Sequence, residues 1–162
     1  MNELLKHSLW QQFGAALDML ENAIMACPDK LWNNESLFWY WAYHTLFFVD
    51  YYLSTEPDKF FPPSPFTLSE FEAGKMPERV YTKDELLDYV SHCRSKCRQF
   101  IGSLTDELAA HRFVNSYCNF SMLELTLDNM RHIQHHTAQL NGMLRKEGIT
   151  PPRLVAFTKA SL

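Results

Sequence analysis

Glycine is scarce in this 162-residue chain, with 5 in all, and none is gathered into a loop that could cradle phosphates or a dinucleotide. P-loop nucleotide hydrolysis and Rossmann-type oxidoreduction are therefore excluded. Cysteine is equally sparse: the 4 cysteines include no Cys-x-x-Cys pair, so neither a zinc ribbon nor a dithiol redox site is expected. Cys93 and Cys97 share a stripe with Leu86, Val90, Phe100 and Leu104 and read as apolar filling; Cys27 ends the stripe of the first helix and Cys118 sits in a connector. Positive charge is short as well. Fifteen Lys and Arg against 19 Asp and Glu give a formal net charge of −4, and no basic stripe stands ready to neutralise phosphates, which excludes nucleic acid as a partner. No apolar run is clean enough for a membrane: the one candidate, 36–53, contains His44 and Asp50. The start, Met1-Asn-Glu-Leu-Leu-Lys-His7, is charged and amphipathic and resembles no signal peptide, so the cytoplasm is the expected compartment. A Ser/His/Asp nucleophile set is also missing.

What is present is apolar and aromatic, at 46% and 14% of residues, enough to bury a core in a single all-α domain spanning 1–162. Hydrophobic periodicity predicts four long helices. The first covers about 3–26, with Leu9, Phe13, Ala16, Leu17, Leu20 and Ile24 inward and Pro28 closing it. The second covers about 35–54 and stops before Pro57. The third opens on a capping box, Thr82 with Glu85, and runs to about 103. The fourth opens on Ser121 with Glu124 and ends near Lys146, with Gly148 as its C-terminal cap.

The connections differ in character. Residues 55–81 hold Pro57, Pro62, Pro63, Pro65 and Pro77 interleaved with Phe60, Phe61, Phe66 and Phe71. Such a link packs down rather than hanging free, and its length suits a crossover and a lid over a site. Thr67 and Glu70 have capping-box spacing, which predicts a short helix at 67–73. The stretch 104–120 is a second connector, partly helical at Asp106–His111, and the tail 148–162, with Pro151-Pro152, is expected to be extended and to clip onto the helices.

Three of the 7 histidines fall within Asp128-Asn129-Met130-Arg131-His132-Ile133-Gln134-His135-His136-Thr137-Ala138-Gln139. His132 and His136 are four apart, so their Cβ atoms stand about 5–6 Å apart on one helix face, a spacing from which two imidazoles reach one ion. With His132 at zero on a helical wheel, Leu125 and Met143 fall near about 20°, His136 near about 40° and Asn129 near about 60°, inside or beside the apolar stripe. His135 falls near about −60°, with Glu124, Asp128 and Lys146, on the polar side, and Asp128 lies too near that edge for a ligand. A third ligand must come from another helix, and His44 is the best candidate. It sits inside Trp39-Tyr-Trp-Ala-Tyr-His44-Thr-Leu-Phe-Phe-Val-Asp50, flanked by Leu37, Phe48 and Tyr51, while Ser36, Tyr43, Asp50 and Ser54 form the only stripe expected to face water. A lone histidine on an apolar face is commonly a core residue; beside an inward pair on another helix it becomes a ligand. His7, His92 and His111 read as surface residues.

The aromatic-rich second helix with its central His44, and the late helix with His132-Ile-Gln-His135-His136-Thr-Ala-Gln139, resemble the DinB-like proteins, a family of four-helix-bundle metalloenzymes. The resemblance spans about 5–146 and includes the Phe-Phe-Pro-Pro linker. It implies a four-helix bundle with a long crossover between helices 2 and 3, a divalent metal on His44, His132 and His136, and a homodimer. Many members follow the last ligand with Arg-Gly-Gln; here Thr137-Ala138-Gln139 stands there, so only Gln139 is shared. Related branches are thiol transferases using bacillithiol or mycothiol and a glutathione-dependent isomerase, which implies a low-molecular-weight thiol and a small electrophile as reactants.

Three neutral imidazoles leave coordination positions open, as catalytic sites do. Zinc fits such a set best, and nickel, cobalt, manganese and iron also accept imidazole. Asn129 and Gln139 read either as hydrogen-bond partners of the ligands and substrate contacts or as helix-edge polar residues. Tyr40 and Tyr51 read as pocket lining or as core aromatics. Two functions follow: a divalent-metal-dependent transferase using a thiol, and a non-catalytic metal-binding or stress-response protein. The second helix, apolar nearly all round, also predicts self-association.

Overall fold

A computed structural model describes residues 2–162 and is all-α apart from one small ribbon. In chain order it holds α1 (Glu3–Ala26), α2 (Asp29–Trp32), α3 (Phe38–Tyr52), α4 (Lys83–Ser103), α5 (Asp106–Ala110), β1 (Arg112–Val114), β2 (Asn119–Ser121) and α6 (Met122–Lys146). The local signals act as their chemistry dictates. Thr82 Oγ1 accepts from Glu85 N at 3.2 Å while Thr82 N donates to the Glu85 carboxylate at 2.8 Å, and Ser121 with Glu124 repeats both distances. Each such cap contributes about 1 kcal/mol. At the end of α6, Gly148 takes φ +74, its N–H donates to Arg145 O, and Ile149 N–H donates to Leu144 O, both at 3.0 Å. That reversal needs a left-handed residue, which glycine supplies without strain.

The long helices touch in a ring: α1 packs on α4 and α6, and α3 packs on the same two. Trp10, Phe13 and Leu17 of α1, Ala42 and Leu46 of α3, Val90 and Cys93 of α4, and Ile133 and Leu140 of α6 are buried in the shared core. All four cysteines are free, and burial pushes the thiols of Cys93 and Cys97 up, as apolar filling requires. No helix among the described residues is long and apolar enough to cross a membrane.

The second long helix departs from its expected 35–54. Asn34 Oδ1 accepts from the backbone and hydroxyl of Ser36, a local bond that competes with helix, and Leu37 adopts φ +54 before α3 begins at Phe38. The stripe expected to be wet is also buried at its centre: Tyr43 is 0% and Asp50 1% exposed. Lys96 of α4 donates to Asp50 Oδ1 at 2.6 Å, to Asp50 O at 2.8 Å and to Ser54 Oγ at 3.0 Å, and Tyr89 OH donates to Asp50 Oδ2 at 3.1 Å. His92, though exposed, brings Nε2 to 3.4 Å from the same carboxylate. Burial alone would raise the Asp50 carboxyl, but His92 and Lys96 hold it below the usual range. A charge is buried when it is paired. Its partners come from a distant helix, which a wheel drawn on α3 cannot reveal.

The 55–81 segment docks along α3 and reaches Tyr89 of α4. Phe66 stacks on Tyr89 at 4.2 Å, and Phe60 and Phe71 pack on Tyr51 at 5.3 and 4.9 Å. Tyr43 OH donates to Thr67 O at 2.9 Å. Where a helix at 67–73 was expected, there is a single 3-10 turn, Ser69–Phe71. The capping box does not form: the Thr67 hydroxyl donates to Ser69 Oγ at 3.2 Å, and the Glu70 side chain points elsewhere.

In the second connector α5 forms as anticipated, but the ribbon was not. Phe113 pairs with Phe120 in the antiparallel register, and strands of three residues are too short to show alternation. Phe113 lies against Tyr51 and Tyr52 at 5.3 and 5.9 Å. The tail clips onto α1: Trp10 Nε1 donates to Ala160 O at 2.7 Å and Thr158 N donates to Gln11 O at 3.1 Å.

Candidate metal centre

The contact of α3 with α6 positions the site. His44 lies near the middle of α3, and His132 and His136 lie one turn apart on the face of α6 that meets it. Each of the three offers a ring nitrogen, and these atoms all lie within 4.8 Å of one another. The ring centres are 5.7 Å apart for His44 and His132, 4.9 Å for His44 and His136, and 4.5 Å for the pair on α6. His135 is exposed and outside the cluster, as its wheel position implied, although its ring lies 5.0 Å from that of His136.

Two of the three rings have their second nitrogen engaged. Nδ1 of His44 lies 2.6 Å from Glu70 Oε2, and Nδ1 of His136 lies 2.6 Å from Gln139 Oε1. A carboxylate and an amide oxygen can only accept, so each fixes a proton on Nδ1 and leaves Nε2 as the nitrogen that can ligate. The third ring differs: Nδ1 of His132 is buried without a hydrogen-bond partner among the described residues. The set fits a cation, because three imidazole nitrogens converge and two of the rings are oriented by the kind of bond that metal-ligating histidines make.

Electrostatics keeps the α6 pair neutral. Burial, then the neighbouring His136 and His44, lowers His132 to about 3. His136 is lowered to about 4 by burial, against the opposing Gln139 bond, with His44 adding to the shift. Neutral imidazole is the form that ligates, so no proton has to be displaced near neutral pH.

A comparison with models of known protein families finds none that matches this chain, and a comparison with curated proteins finds no relative. The site therefore stands on its own geometry.

The other sequence candidates divide. Gln139 touches His136 directly. Asn129 is buried, and its Nδ2 donates to Val49 O at 3.1 Å, tying α6 to the backbone of α3 beside the histidines. Tyr40 lies 6.2 Å from His44 ring to ring, and burial followed by the Glu70 charge holds its phenol up at about 12. Tyr51 is turned into the core among Phe60, Phe71 and Phe113, with Asn115 Nδ2 reaching its hydroxyl at 3.4 Å. Its position on the wheel is close to that of His44, but the docked 55–81 segment claims that side of α3.

Glu70 is the residue that sequence reasoning missed. Its side chain is 4% exposed and directed at His44. The apparent capping box with Thr67 supplied a sufficient local reason for an acid at that position and so concealed the tertiary one. A local rule that fails beside three clustered histidines is itself a pointer to function.

Proposed function

We propose that this chain is a metal-dependent protein of the DinB-like kind, a four-helix bundle that holds one divalent ion on His44, His132 and His136 and serves as a transferase joining a small thiol to an electrophile. The observation that carries the reading is the convergence of three imidazole nitrogens within 4.8 Å, with Glu70 and Gln139 orienting two of the rings. The ring of helix contacts supports the bundle. Three neutral ligands favour zinc, with nickel, cobalt, manganese and iron as the other candidates. When bound, such an ion supplies Lewis acidity, lowering the pKa of a coordinated thiol or water and polarising a substrate oxygen.

The chain's own groups do the rest. Glu70 and Gln139 hold the proton of each Nδ1 away from the ligating side. Asn129 fixes the spacing of the two helices. Tyr40 keeps its proton and remains a donor at neutral pH. The 55–81 segment, docked over α3, covers the Glu70 side of the centre as a lid. Four free cysteines suit the reducing cytoplasm. A homodimer belongs to the same reading, and light scattering at micromolar concentration that shows a monomer removes it.

Elemental analysis of tag-free protein tests the metal: about one ion per chain is expected, lost in His44→Ala and His136→Ala and retained in His135→Ala. A single observation favours a second, non-catalytic reading. The ligands straddle the α3–α6 contact, so an ion would also brace the core. Metal-dependent stability without turnover of any electrophile by the metal-loaded protein with bacillithiol, mycothiol or glutathione would favour that metal-binding or stress-response role.

A further inference from the structure

α3 carries two sets of aromatic rings. Phe38, Trp39, Tyr43, Phe47 and Tyr51 are buried in the core. Tyr40, Trp41, Phe48 and Tyr52 stay half-buried, and each lies against a histidine of the cluster. Trp41 stacks on His136 at 5.6 Å and 21° and meets His44 edge-on at 5.6 Å. Phe48 lies 4.9 Å from His44 and 5.9 Å from His132, and Tyr52 lies 6.3 Å from His132. The spacing of 41, 44, 48 and 52 is that of one helix face, so the rings form a continuous apolar wall along the centre. Single exposed aromatics need no explanation, whereas a contiguous wall beside polar ligands marks a binding surface.

Charge around that wall is acidic. Glu70 acts on Tyr40, and Asp128 acts on Tyr52. Arg131, next to His132 in sequence, has a side chain 77% exposed and pairs with Asp128 at 3.3 Å. A ligand with several carboxylates would lose hydration against the rings and meet Glu70, and beyond the ion itself only the exposed Arg131, already paired with Asp128, stands near to offset that. A flat apolar body would instead stack on Trp41 and Phe48 and lose nothing.

We propose that the centre takes small ligands in which one metal-binding head, such as a thiol, is joined to a flat apolar body, and that Trp41 and Phe48 select the body by stacking. This specifies the substrate class of the metal site proposed above and rests on it.

The test uses the cobalt(II)-loaded chain, whose thiolate charge-transfer absorption reports coordination. Benzyl mercaptan, 2-mercaptoethanol and glutathione present the same head on an aromatic, a minimal and a polyanionic body. Benzyl mercaptan is expected to bind saturably and about tenfold more tightly than either, the scale of one or two aromatic contacts. Trp41→Ala and Phe48→Leu should remove most of that preference, with the three thiols compared on each variant at full cobalt occupancy. Equal affinities, tighter glutathione, or a preference that survives both substitutions would overturn the proposal. So would a Trp41→Ala variant that turns a dimer into a monomer without altering thiol binding, since the wall would then be a subunit contact. Failure of the metal reading is told apart because it shows in the cobalt titration, before any thiol is added.

Discussion

Replacing Glu70 with glutamine tests whether the docked 55–81 segment takes part in the proposed metal centre or only covers it. The substitution keeps size and leaves an amide oxygen able to accept from His44 Nδ1, but it removes the charge. The present contact is short, at 2.6 Å, with the carboxylate side chain 4% exposed, so solvent does not screen it. A carboxylate partner raises the basicity of a ligating imidazole and locks its orientation, and losing such a partner typically costs about 10–100-fold in metal affinity, or about 1.4–2.7 kcal/mol. The metal-free protein should respond differently. Without the ion the amide oxygen still accepts from His44 Nδ1–H, so apo stability should change by less than about 1 kcal/mol. Competition of apo protein against a chromogenic chelator for zinc, with thermal melts of the apo and loaded forms, separates the two. Glu70→Gln should weaken zinc about 10–100-fold with a nearly unchanged apo Tm, and Glu70→Ala, which leaves Nδ1–H unpaired, should weaken it further. Zinc affinity within about a factor of two of the parent, or an apo Tm that falls as far as the loaded one, would refute the reasoning.

Acid should destabilise the metal-free protein through the α6 pair. His132 and His136 take up protons near about 3 and 4 when folded but near 6.5 when unfolded, so they contribute nothing to pH dependence above that value. As pH falls from 6.5 toward 4, stability should drop by roughly 2–3 kcal/mol per imidazole, read by urea titration, and by about half the total in His132→Gln, which keeps His136. Asp50 acts in the same direction at lower pH: its depressed carboxyl stabilises the fold above the unfolded carboxylate range and loses that effect as pH falls through its folded value. Lys96→Met, which strips the 2.6 Å partner from a carboxylate 1% exposed, should cost about 2–3 kcal/mol in the same assay. At the tail, a Cβ on Gly14 would stand 2.5 Å from Thr158 Cγ2, so Gly14→Ala should lower stability by about 1–3 kcal/mol, with partial rescue by Thr158→Gly in thermal melts.

Helical periodicity, two capping boxes and a terminal glycine were legible in the order of residues because each acts over a few neighbours, and four helix spans followed from them with small boundary shifts. The His132–His136 pair and the exclusion of His135 were legible for the same reason, since one helix face is a local property. That His44 joins them is a pairing between helices. Aromatic surroundings and resemblance indicated it, and the packing of α3 on α6 brought the nitrogens within 4.8 Å. The sequence by itself determined the helical character and the histidines on offer. Tertiary structure alone decided the bonds that carry charge across it. Asp50 looked like a water-facing residue until Lys96, Tyr89 and His92 came in from α4. Glu70 looked like a helix cap until the proline-rich segment folded back onto His44, and Tyr51, though near His44 on the wheel, was claimed by Phe60 and Phe71. In each case the partner lies far away in sequence, and no local pattern records a contact made only when the chain closes on itself.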